Sequence, residues 1–201
     1  MLSADVSPWL IHDETLERTT SGVGKLCDTP DAVLRTLVVR ACPGGAFARE
    51  TIPTFESAAA LCRRLGLQAN VEIKPADGFE ALTGEVVARR IIELWRDAPL
   101  PLVSSFSEVA LAAARRLAPQ LPMGCLWDKA PADWRERLDR LGAHSLHCAA
   151  DLLDDAVLAE AQTDGIPVLC YTVNERRSAE SLFRRGVRSV FSDRIDLLDR
   201  M

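Results

Sequence analysis

The sequence predicts an α/β fold of the TIM-type (β/α)8 barrel kind, on three observations. From Gln68 onward, short runs rich in Val, Ile and Leu alternate with segments of helical period, the pattern of strand and helix units repeated on one parallel sheet. Polar residues gather at the C-terminal ends of different runs: Glu72 and Lys74, Ser104 and Ser105, His147, Thr172 and Asn174, Ser192 and Asp193. Such a ring of strand ends is where barrel enzymes build their sites. The competing architecture, an open doubly wound sheet, loses its main support because neither G-x-G-x-x-G nor G-x-x-x-x-G-K-[ST] occurs.

The elements follow in order. Pro8 to His12 reads as a short strand and Asp13 to Thr29 as a polar loop; Pro30 to Val38 reads as a short helix opened by Thr29 and Pro30. Arg40 to Pro53 is irregular around Pro43-Gly44-Gly45. Residues 13–53 thus read as a small insertion carried on the barrel, and a helix from Phe55 to Leu65 leads into the regular part. Six strands are expected there: Ala69 to Ile73, Leu102 to Phe106, Gly124 to Trp127, Ser145 to Cys148, Val168 to Thr172 and Arg188 to Phe191. Thr83 is placed to cap a helix running through Trp95, and Ser107 one running through Leu117, each hydroxyl accepting from an unpaired N–H of the first turn. Gly66, Gly142, Gly165 and Gly186 stand where helices should stop, because a helix often ends on a residue of positive φ.

Composition narrows the function classes. With 201 residues, 48% of them apolar, residues 1–201 are expected to form a single domain with a substantial core. A net charge of -5 argues against sequence-independent nucleic-acid binding, which needs clustered Lys and Arg to displace counterions. A small anionic substrate remains compatible, since one Lys or a bound cation outweighs a weakly acidic surface at close range. No basic segment followed by an apolar run opens the chain, and no stretch reaches the roughly 18 apolar residues of a membrane span. The expectation is a cytoplasmic protein. The six cysteines show no C-x-x-C spacing, which points to buried thiols rather than a zinc site or a disulfide framework.

Two stretches carry chemistry. His12-Asp13-Glu14-Thr15-Leu16-Glu17-Arg18-Thr19-Thr20 sets a histidine at a strand end, followed by an acid and a hydroxyl-rich loop with an Arg. Histidine exchanges protons near neutral pH, and Asp13 could orient its neighbours; locally, an ordinary surface histidine fits equally. In Asn70-Val71-Glu72-Ile73-Lys74-Pro75 the alternation puts Glu72 and Lys74 on one face. Glu72 could bind a hard divalent cation and Lys74 hold a phosphate as a point charge, the alternative being a structural ion pair. His147, at another strand end, either faces the pocket and binds substrate or is a hydrogen-bonded structural histidine. His144 stands at the opposite end of that strand and reads as structural, and Ser104 and Ser105 lack a His and Asp pairing, so they read as pocket lining.

Taken in register, His12-Asp13-x-Thr15-Leu16-x-Arg18-Thr19, Ile52-Pro53-Thr54-Phe55-Glu56, Asn70-x-Glu72-Ile73-Lys74, Ser104-Ser105-Phe106, Tyr171-Thr172-Val173-Asn174 and Phe191-Ser192-Asp193 cover essentially the whole chain. This order resembles that of glycerophosphodiester phosphodiesterases. Leu82-Thr83-Gly84, Trp134-Arg135-Glu136 and Leu141-Gly142 are similar to the cytoplasmic bacterial form linked to glycerol-3-phosphate uptake. The resemblance implies a barrel of the phospholipase-C-like phosphodiesterase kind. It implies hydrolysis of glycerophosphodiesters such as glycerophosphocholine to sn-glycerol 3-phosphate and an alcohol, with Mg²⁺ or Ca²⁺. It also makes His12 the general acid toward the leaving alcohol, Glu72 a metal-binding carboxylate, Lys74 a phosphate-binding residue and Tyr171 a lining residue of the glycerol pocket.

The family's His-Arg-Gly, Pro-Glu-Asn-Thr and Glu-x-Asp motifs have no counterpart in these 201 residues. They supply the other catalytic histidine, a phosphate-binding arginine and two further metal carboxylates. The expectation is therefore a barrel lacking its first strand-helix-strand unit, roughly thirty or more residues, with impaired activity. A misassigned start, a fragment, or a degenerate relative that binds a phosphodiester or a protein partner without hydrolysis would each produce this pattern.

Overall fold

The structure, a computed structural model, describes residues 1–40 and 50–196. After α1 (Asp31–Leu34) and α2 (Phe55–Leu65), strands and helices alternate: β1 (Asn70–Glu72), α3 (Glu80–Leu94), β2 (Leu102–Ser105), α4 (Glu108–Leu117), β3 (Met123–Trp127), α5 (Trp134–Leu141), β4 (Ser145–Ala149), α6 (Asp155–Thr163), β5 (Val168–Tyr171), α7 (Arg176–Arg185) and β6 (Ser189–Val190). The six strands of the sheet stand in chain order. A helix after each of β1 to β5 and no reversal of strand order make this the parallel β/α fold of the TIM-type barrel class, as the alternation of apolar runs predicts. The described residues fall into two compact units, one of residues 1–103 with 107–121 and one of residues 104–106 with 122 onward.

In the first unit, Thr54 caps α2 by accepting from the Ser57 N–H, and Gly66 closes it with φ of 66°. Ser107 caps α4 through the Ala110 N–H, as its position predicts. Thr83 does not cap. It lies inside α3, buried, its hydroxyl donating to the Phe79 carbonyl, because the turn over Ala76 to Phe79 starts the helix at Glu80. Gly84 faces α4 so closely that a Cβ there would stand 2.2 Å from the Ala110 carbonyl oxygen.

Residues 8 to 12 are not a strand. Single bridges join Leu2 to Pro8 and Trp9 to Thr54, and the segment is fixed by side chains. Trp9 is buried with Leu16, Leu26, Leu34 and Ile52, while its Nε1 donates to Asp31 Oδ1 at 2.8 Å. Burial of these apolar faces, roughly 1.5–3 kcal/mol for each large side chain, organises the segment without a ladder. The helix expected over Pro30 to Val38 is only the one turn of α1, since Val38 and Val39 leave it to bridge Thr51 and Thr20. Pro43-Gly44-Gly45 and Cys42 lie outside the described residues.

In the second unit β3, β4, β5 and β6 pair in parallel, with Gly124 opposite Ser145, Leu126 opposite His147, Cys148 opposite Cys170 and Cys170 opposite Val190. Gly142 and Gly186 end α5 and α7 with φ of 61° and 97°, where L side chains are strained. Cys125, Cys148 and Cys170 are buried thiols held in no disulfide among the described residues; the neighbouring Cys170 thiol and burial both push Cys148 upward.

Candidate functional site

His12 and Asp13 form a contact that adjacent positions on an extended strand would not make. His12 Nδ1 lies 2.7 Å from Asp13 Oδ1, and Arg18 reaches both carboxylate oxygens, Nε to Oδ2 and one terminal nitrogen to Oδ1 at 2.7 Å. The hydrogen bond from Arg18, then that from His12, holds the Asp13 carboxyl well below the usual carboxylate range. Asp13 is therefore an anion that only accepts, and it directs the Nδ1 side of the ring. The His12 side chain is 74% exposed.

Glu72 ends β1 and Lys74 follows two residues later, with Ile73 buried between them, so both polar side chains share one side of the chain. They line a cavity of about 340 Å³ that also contains His12. Its walls are apolar, including Trp9, Phe55 and Trp95, with the last two rings 5.9 Å apart. Burial pushes the Met1 amine down to about 6, the Glu72 charge raising it and the Lys74 charge lowering it. The three residues read from two separate motifs therefore line one cavity, although about sixty positions separate His12 from Glu72.

A hard divalent cation takes six or more oxygen ligands, several from protein carboxylates or carbonyls when it is held firmly. Among the described residues no group of three His, Cys, Asp or Glu side chains converges. Glu72 stands as a single carboxylate in this cavity, and this donor set does not make a cation site.

In the second unit, Tyr171 at the end of β5 packs edge-on against Phe106, ring centroids 5.9 Å apart, and its hydroxyl donates to Asp128 Oδ1 at 3.1 Å. Asn174 accepts from the Asp193 N–H and the Ser192 hydroxyl and donates to Asp193 Oδ2. These contacts join the polar ends of β5 and β6, which the strand-end pattern singles out. His147 is different: it is fully buried, its Nε2 is 2.9 Å from Ser145 Oγ, and its ring lies 5.5 Å from that of Phe191. Among the described residues its Nδ1 has no hydrogen-bond partner, and burial pushes the ring down to about 4. His144 is exposed at the far end of β4. Ser104 and Ser105 are buried.

Sequence reading missed Asp128 as the partner of Tyr171, and the aromatic walls contributed by Trp9 and Trp95. Asp128 directly follows β3, so the strand-end pattern itself would have found it. The tryptophans carry no sequence signal beyond apolarity.

A profile described as "Glycerophosphoryl diester phosphodiesterase family" matches residues 1–197. A phosphodiesterase from Oleispira antarctica, solved in complex with the product sn-glycerol-3-phosphate, superposes with a TM-score of 0.91 at 34% identity, over 96% of this chain and 78% of that one. A glycerophosphodiester phosphodiesterase from Caldanaerobacter subterraneus subsp. tengcongensis is 27% identical over 186 residues, 92% of this chain and 75% of the relative. A Thermotoga maritima protein of the same description shares the fold, with a TM-score of 0.72 at 21% identity over 99% of this chain and 81% of that one. With its strand order, its cavity residues and this match over nearly its full length, the chain belongs to the glycerophosphoryl diester phosphodiesterase family, a family of phosphoric diester hydrolases.

Proposed function

We propose that this protein hydrolyses glycerophosphodiesters to sn-glycerol 3-phosphate and an alcohol, and that His12 and Lys74 carry this chain's share of the chemistry. The observation that supports it is the common cavity of His12, Glu72 and Lys74. Lys74 supplies a positive charge for the phosphodiester anion. His12, turned by Asp13, gives its proton to the departing alcohol oxygen as the P–O bond breaks and an incoming oxygen, in net that of water, takes its place on phosphorus. Glu72 is the one carboxylate here suited to Mg²⁺ or Ca²⁺, and it holds neither alone, so no step is assigned to a metal. The 201-residue chain by itself is accordingly expected to be nearly inactive. Tyr171, half-buried, is assigned to ligand binding on its strand-end aromatic pair with the exposed Phe106. His147, fully buried, supports the strand ends rather than touching substrate. A cytoplasmic location belongs to the same reading and is supported by core thiols that form no disulfide among the described residues.

The test is release of glycerol 3-phosphate from a panel of glycerophosphodiesters, by the chain alone and by the chain preceded by a segment carrying His-Arg-Gly and Glu-x-Asp. The chain alone should be nearly inactive and the extended protein active and sensitive to EDTA. His12→Ala should lower kcat in the extended protein about 100-fold or more, the usual weight of general acid catalysis, with the fold unchanged. Ordinary turnover by the short chain, lost with EDTA, would overturn the ligand count. No glycerol 3-phosphate from either protein would overturn the activity and leave phosphodiester binding without hydrolysis as the reading.

A further inference from the structure

We infer that Arg18 is a positioning residue, acting through Asp13 to hold the His12 ring with Nδ1 on the carboxylate, which leaves Nε2 as the nitrogen for proton exchange. The consequence for catalysis rests on the assignment of His12 as proton donor; the positioning itself does not. Three observations lead here. Arg18 grips Asp13 at both oxygens, and the planar guanidinium fork fixes the plane of the carboxylate as a lysine would not. Asp13 Oδ1 is shared between that fork and His12 Nδ1. The turn carrying Arg18 is itself anchored: Thr20, buried, donates its hydroxyl and its N–H to the Leu16 carbonyl, Gly22 N–H returns to the Thr20 hydroxyl, and Leu16 is 1% exposed.

The stability of the fold does not account for this arrangement. Arg18 and His12 are largely exposed, and ion pairs in that setting contribute little to folding. What the fork does is orientational. A free carboxylate rotates and can meet either ring nitrogen; one held at both oxygens presents a single direction to the ring. Nδ1 faces two groups, the acceptor-only Asp13 at 2.7 Å and the donor-only Arg18 terminal nitrogen at 3.4 Å; the much shorter contact decides, so Nδ1 carries the hydrogen in the neutral ring, against the usual Nε2–H preference of unconstrained histidine, and the Nε2 lone pair is the one left for proton exchange. The charged or titratable groups around His12 are Asp13 and Arg18 on its own segment and, lining the same cavity, Glu72, Lys74 and the Met1 amine. Among these, only Asp13 and Arg18 lie within hydrogen-bond reach in the contacts of His12.

The tautomer of His12 reads this directly in the 201-residue chain, with no need for turnover. Long-range ¹H–¹⁵N correlation of ¹⁵N-histidine protein, assigned with His12→Gln, should show the Nδ1–H pattern for the neutral ring. In Arg18→Gln that pattern should give way to a mixture dominated by Nε2–H, and in Asp13→Asn it should be lost. Arg18→Lys should lie between, keeping charge without the fork. Circular dichroism and the melting temperature verify that each variant is folded. An unchanged Nδ1–H pattern in folded Arg18→Gln would overturn the inference, as would Nε2–H in the unsubstituted chain. If the tautomer follows Arg18 while the extended protein releases no glycerol 3-phosphate, the proposed activity fails and the positioning stands.

Discussion

At the scale of single residues, His147 and Gly124 explain one another. A Cβ on Gly124 would lie 2.5 Å from both His147 Nε2 and Ser145 Oγ, so glycine is required opposite the buried imidazole and hydroxyl. Gly124→Ala is expected to destabilise the fold by about 1–3 kcal/mol, the range for overpacking a well-filled core, measured by denaturant unfolding. His147 adds a pH dependence. Burial depresses the folded ring from 6.5 to about 4, so the unfolded chain binds the extra proton first as pH falls. The stability contributed by the neutral buried ring is present above 6.5 and is lost between there and about 4, by an amount on the order of 3 kcal/mol. Melting temperatures from pH 7.5 to 4.5 should fall over this window, and the fall should be shallower in His147→Asn. A profile identical in the two proteins would show that His147 is not the group responsible.

Elements obey local rules until packing intervenes. Ser107→Ala should cost about 1 kcal/mol, because the Ala110 N–H loses the hydroxyl that caps α4. Gly84→Ala reverses the usual propensity argument. Alanine favours a helix interior by roughly 1 kcal/mol over glycine, yet here its Cβ would meet the backbone of Ala110, which cannot rotate away as a side chain would. The helices α3 and α4 must part, so a net loss of roughly 2 kcal/mol is expected in equilibrium unfolding. Thr83, one position earlier, shows why helix starts are the weakest part of a sequence reading: a hydroxyl accepting at a cap and one donating to the carbonyl four residues back occupy the same kind of position in sequence. The turn at Ala76 to Phe79 decides between them.

For the molecule as a whole, the number of ligands governs the response to cations. Anything that binds the folded state alone raises its melting temperature by mass action. With Glu72 as the single carboxylate of its cavity and no three-ligand group among the described residues, millimolar Mg²⁺ or Ca²⁺ should leave the melting temperature of the 201-residue chain unchanged. A clear rise, abolished by Glu72→Gln, would show a cation site that these side chains do not display. Among the described residues no helix is long and apolar enough to cross a membrane.

The amino-acid sequence by itself determined the parallel β/α class, all six strands to within a residue or two at most ends, and the helix stops at Gly66, Gly142 and Gly186, because period, apolar runs and positive φ are properties of neighbouring residues. It also singled out His12, Glu72 and Lys74. Only the tertiary structure decided that these three share a cavity, that Trp9 replaces a strand ladder with a packed side chain, and that Arg18 grips Asp13 at both carboxylate oxygens. Each of those depends on distances between residues far apart in the chain or on the bend of a loop, and neither leaves a period in the sequence. His147 marks the boundary: its place at a strand end was legible, whereas its burial against Ser145 and over Gly124 was set by the register of β3 on β4.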